Sequence, residues 1–105
     1  MGGREYVEIT EILSGTTFRF YMDRAQGHRL HISVRWGIEP ETAIRTFLDA
    51  RAQLVWLPQK ECFETRALAH VLVWLRVAPQ HILVITCVPR EVSQSALTEA
   101  EGDSA

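Results

Sequence analysis

Residues 23–36, DRAQGHRLHISVRW, decide the architecture, because they read in two ways. As a strand, the segment sends Leu30, Ile32, Val34 and Trp36 to one face and Arg29, His31, Ser33 and Arg35 to the other. As a helix, it gathers Arg24, His28, His31 and Arg35 into one polar stripe, with Gly27 inside it at a cost of about 1 kcal/mol. The unbroken alternation favours the strand. His31 and Arg35 share a face on either reading, but their separation differs. Four residues span about 6 Å along a helix and about 13 Å along a strand, so a helix would let both grip one phosphate with ease.

Upstream, residues 4–22 read as a β-hairpin. Val7 and Ile9 oppose Glu8 and Thr10, Ser14-Gly15 supplies the turn, and Phe18, Phe20 and Met22 alternate with Arg19 and Tyr21. Downstream, Gly37 breaks the chain and Pro40 suits a first helical position, with Glu41 at the positive end of the dipole. Ala43, Ile44, Phe47 and Leu48 then form an apolar stripe, while Glu41 and Arg45 are spaced to pair on the outside. The expected helix covers residues 39–52. Residues 54–57 (LVWL) read as a short strand stopped by Pro58. Residues 67–77, rich in Val and holding Trp74, read as a strand. Ala78-Pro79-Gln80 makes a turn, and residues 81–88 (HILVITCV) return antiparallel, closed by Pro89. The expected fold is therefore α+β, an antiparallel sheet of about five to six strands with one main helix packed on one face.

The chain has 105 residues, and its 47% hydrophobic content is ordinary for one globular domain, here expected over residues 1–90. The net charge of −2 excludes a protein held on nucleic acid by bulk positive charge. That charge is unevenly placed. Glu91, Glu99, Glu101 and Asp103 lie in the last fifteen residues, which carry no Lys or Arg, lack aromatics and read as an acidic disordered tail over 91–105. The body before them is about +2, and every basic residue except Lys60 is Arg, whose planar fork suits phosphate. Arginine bias of the genome is the plain alternative.

No secretory h-region and no run of about 20 apolar residues is visible, so no membrane association is expected. Cys62 and Cys87 show no C-x-x-C spacing and read as buried free thiols of a cytoplasmic protein. Nucleotide-binding, nucleophile-elbow and zinc-protease motifs are missing. No metal site is expected, because the histidines and cysteines show no paired ligand spacing, and no cofactor is expected.

Several pieces occur in a telling order: His28, then Trp36-Gly37-Ile38 opening the acidic Glu39-Pro40-Glu41, then Ala69-His70-Val71-Leu72-Val73, and finally the run from Ile82 to Pro89-Arg90. This order resembles the small bacterial ribonuclease toxins of the BrnT type and related RelE-like domains. Trp36 stands where that family more often has a basic residue or histidine. The resemblance implies metal-independent RNA cleavage in a toxin–antitoxin system, with RNA and a cognate protein as partners. Such chemistry needs a base for the 2′-OH, an acid for the leaving 5′-oxygen and cations around the phosphorane. His31 would serve as base or acid with His28 or His70 as its partner, and Arg35 and Arg29 would clamp phosphate. Arg24, Thr86 and Arg90 would complete the RNA-binding cleft. Each has a plain alternative: His70 as a hydrogen-bonded core residue, Arg90 as a solvated strand end, Thr86 as a simple strand former. The competing function is a non-enzymatic interaction module, a homodimer, adaptor or inhibitor that pairs through a sheet edge or through any of Trp36, Trp56 and Trp74 left exposed.

Overall fold

The computed structural model describes residues 5–23 and 29–91. The expected tail, Glu91 apart, lies outside them, as do Arg24 and His28. The chain forms β1 (Tyr6–Glu11), β2 (Thr16–Asp23), β3 (Arg29–Leu30), α1 (His31–Trp36), α2 (Pro40–Leu48), β4 (Gln53–Leu57), β5 (Cys62–Arg66), β6 (His70–Ala78) and β7 (His81–Pro89). The fold is α+β, and the strands make one sheet in the order β1-β2-β7-β6-β5-β4, with the short β3 against β2.

Three expectations need correcting. The sheet is mixed: β2 runs parallel to β7, in a register that sets Thr17 beside His81 and Phe20 beside Val84. A hairpin fixes only its own pairing, so the neighbour that β2 takes on its other side is set by tertiary packing.

The second correction falls on the deciding segment, which becomes a helix from His31. Ile32 is buried and Trp36, one turn later, packs against the same core. Val34, which alternation sent inward, is only half-buried. The cause lies at the C-terminal end. Gly37 takes φ +67°, its N–H bonds to the Ser33 carbonyl at 2.9 Å, and the Ile38 N–H reaches the Ile32 carbonyl at 3.3 Å. The bond from Gly37 to Ser33 is that of an αL helix stop, and Ile38 and Ile32 on either side of it both enter the core. Gly37 thus ends one helix before the next begins. Gly37→Ala is expected to destabilise by roughly 1–2 kcal/mol, the usual cost of a Cβ in the left-handed region. Its Cβ would meet nothing within 4 Å, so chemical denaturation would report backbone strain without a clash.

α2 is shorter than expected. Pro40 sits in its first turn, and Ala43 and Ile44 are buried as read, but Leu48 is exposed. The helix stops at Leu48 because the Asp49 carboxylate accepts the Arg51 N–H at 2.9 Å and turns the chain. Strand β5 was unread; a five-residue CFETR with two charges carries little apolar signal. It is held by its place between two partners: Phe63 pairs with Trp56 on β4 and with Trp74 on β6.

Both helices cover one face of the sheet, α1 over β2 and β7 and α2 over β5 and β6. Phe18, Phe20, Leu72, Trp74, Ile82, Val84 and Cys87 meet Ile32, Ile38, Ala43 and Ile44 there. Phe47 of α2 is wedged edge-on between Phe18 at 5.1 Å and Trp74 at 4.9 Å. A register shift in the β6–β7 pairing, where Val73 faces Thr86 but Trp74 faces Val84, leaves Ile85 as a bulge. Because of it both Val84 and Cys87 point inward.

Candidate functional site

The polar face of α2 and the β5–β6 turn enclose a furrow at one end of the sheet. Two adjoining hollows, of about 300 and 280 Å³, share Asp49, Ala67 and Leu68. The first adds Thr42, Arg45, Thr46, Ala69 and His70; the second adds Arg51, Arg66 and Arg90. Local chemistry explains each placement. Arg45 sits in the last turn of α2, where a cation suits the dipole. Thr46 is buried and donates its hydroxyl to the Thr42 carbonyl at 2.8 Å. His70 opens β6 opposite Pro89, the last residue of β7.

Arg90 is a structural clamp as well as a charge. Its backbone N–H bonds to the Ala69 carbonyl and its guanidinium to the Ala67 carbonyl, both at 2.9 Å. Neither carbonyl neutralises the guanidinium. Arg66 is matched by Glu64, whose carboxylate accepts its Nε–H at 2.7 Å. Arg51 is almost fully exposed, 3.9 Å from Asp49, a separation and exposure at which an ion pair contributes little. Arg45 is exposed and takes part in no ion pair among the described residues. The furrow therefore presents cations in excess of acids, with an imidazole and one carboxylate among them.

Of the residues singled out from the sequence, the structure brings His70 and Arg90 into this furrow. His70 is half-buried, and among the described residues its ring has no hydrogen-bond partner. His31 and Arg35 lie one turn apart on α1, which packs over β2 and β7, and they do not line the furrow. The Arg35 guanidinium is 5.6 Å from the Trp36 ring. Thr86 pairs with Val73 between two inward positions and so faces the helix-free side of the sheet. Arg29 begins β3, its side chain outside the described set. Arg45, Asp49, Arg51 and Arg66 were not singled out. Arg45 and Asp49 stand at helical spacing and could have been noticed, but only the strand order brings Arg66 and Arg90 beside them.

A second polar cluster occupies the helix-free face. Glu8 accepts hydrogen bonds from Arg19 at 3.1 and 3.3 Å and lies 3.3 Å from His81 Nε2, while Arg19 stacks 4.2 Å from the Tyr6 ring. The Arg19 hydrogen bond holds the Glu8 carboxyl below its ordinary range. Both cysteines are free and buried. Burial raises the Cys62 thiol and pushes Cys87 up to about 12, so neither offers a thiolate nucleophile. The unfolded Cys87 thiol ionises from an ordinary value of 9.0 while the folded one stays neutral. Stability is therefore expected to fall as pH rises above about 9, and urea titrations at successive pH values for wild type and Cys87→Ser would register this slope and its loss.

Among the described residues no helix is long and apolar enough to cross a membrane, and no group of three His, Cys, Asp or Glu side chains could hold a metal ion. No family model, curated protein or solved structure matches the chain.

Proposed function

We propose that the protein is a metal-independent endoribonuclease of the toxin type, with the arginine furrow as its site. The observation that carries this reading is a pair of adjoining hollows that share Asp49, with Arg45 and His70 lining one and Arg51, Arg66 and Arg90 lining the other. Arg45 and Arg90 take part in no ion pair among the described residues, which suits a phosphodiester and its phosphorane. In the reaction, the ribose 2′-oxygen attacks phosphorus and gives its proton to the Asp49 carboxylate. The P–O5′ bond breaks, and the leaving oxygen takes a proton from the His70 imidazolium. The products are a 2′,3′-cyclic phosphate and a 5′-hydroxyl, and solvent resets both groups. Antitoxin pairing would cover the same cationic surface.

The test is direct. Purified protein with single-stranded RNA in excess chelator is expected to yield fragments with cyclic-phosphate ends, and its expression is expected to slow growth. Arg45→Ala, which removes no structural hydrogen bond, is expected to weaken RNA binding and cleavage together. Intact RNA with undisturbed growth would overturn the assignment.

A further inference from the structure

The two edges of the sheet are protected very differently. β1 carries Glu8 and Glu11, with Glu5 just before it, and such charges discourage pairing with another chain. β4, at the other edge, reads Gln53-Leu54-Val55-Trp56-Leu57 and has no charge at all. Its two helix-side residues are unusually open: Leu54 is 60% exposed and Trp56 48%. Trp74, equally large, is 4% exposed. Trp56 is nonetheless packed on one side, its ring 4.8 Å from Phe63, which in turn stacks on Trp74 at 4.7 Å. A half-exposed aromatic beside an uncharged edge strand has the make-up of an interface anchor.

We infer that β4 pairs antiparallel with β4 of a second copy of this chain, about a two-fold axis at Val55. The sequence of the strand is self-complementary in that register. Leu54 of each copy falls opposite Trp56 of the other, an apolar–aromatic pair on the helix side, repeated by symmetry. Val55 meets Val55 on the reverse side. Two sheets fuse into one, and the unprotected edge disappears. The inference is independent of the furrow's chemistry. A single pair of five-residue strands is a small interface, so association on the order of micromolar affinity is expected.

Light scattering after size exclusion, over a wide concentration range, is expected to show mass rising toward twice the 12.0 kDa of one chain. Leu54→Lys, at an exposed position, is expected to hold the mass at one chain with an unchanged circular dichroism spectrum. Hydrogen exchange of wild type adds a measurement that no substitution can confound, with β4 amides expected to gain protection as concentration rises while β1 amides do not. A wild type that stays monomeric at every concentration overturns the inference, and so does a dimer in which β4 exchange is independent of concentration.

Discussion

Replacement of His70 by alanine is expected to lower RNA cleavage by about a hundred- to ten-thousand-fold, the usual yield of a positioned proton-transfer group. The effect should fall on the rate of the chemical step and spare RNA affinity, because the cations of the furrow remain. Arg45→Ala has the opposite signature, weakening RNA binding while leaving the rate at saturating RNA nearly unchanged, since an exposed guanidinium acts on ground state and transition state alike. Thermal unfolding should hardly move in either variant: His70 is half-buried without a ring hydrogen bond among the described residues, and Arg45 is exposed. Single-turnover rates at saturating RNA, followed against pH, separate the two. Wild-type rates in His70→Ala would leave the furrow a binding site only and would end its role as the acid.

The largest stability loss is expected at Trp74. Its ring stacks on Phe63, meets Phe47 edge-on and donates its indole N–H to Thr65 Oγ1 at 2.8 Å. Trp74→Ala removes all three contacts in a position 4% exposed, and large-to-small changes of this kind cost about 3–5 kcal/mol. Against a typical domain stability of about 5–15 kcal/mol, that is a substantial share. Trp74→Phe keeps most of the packing but strands the Thr65 hydroxyl, a penalty of about 1–3 kcal/mol. Guanidinium titrations of the three proteins should rank them wild type, Phe, Ala. Equal midpoints would show that α2 is not anchored through this aromatic stack.

The hairpin, strands β4, β6 and β7, the inward Phe18 and Phe20 and the start of α2 at Pro40 were legible because each rests on local chemistry: alternation, a turn residue or a helix cap. The segment around His31 misled because Leu30, Ile32, Val34 and Trp36 alternate, while Ile32 and Trp36 also stand four apart. Both periods fit, and the decision lay in Trp36-Gly37-Ile38, where glycine flanked by apolar residues marks a helix stop. β5 and the parallel pairing of β2 with β7 are consequences of what packs beside what. The furrow was half legible for the same reason. His70 and Arg90 stood out in the sequence, whereas Arg45, Asp49 and Arg66 are ordinary surface residues until the strand order sets them side by side.

The parallel contact between Thr17 and His81 bears on the order in which the molecule matures. β2 is made well before β7, the neighbour that completes it. During synthesis the first hairpin must wait, with Phe18 and Phe20 lacking their cover, and a two-stranded ribbon alone is marginal in water. Contacts of such long sequence separation also form slowly. β7 thus acts as a keystone, and chains released before β7 is made would expose the aromatic face of β2 as a substrate for chaperones and proteases.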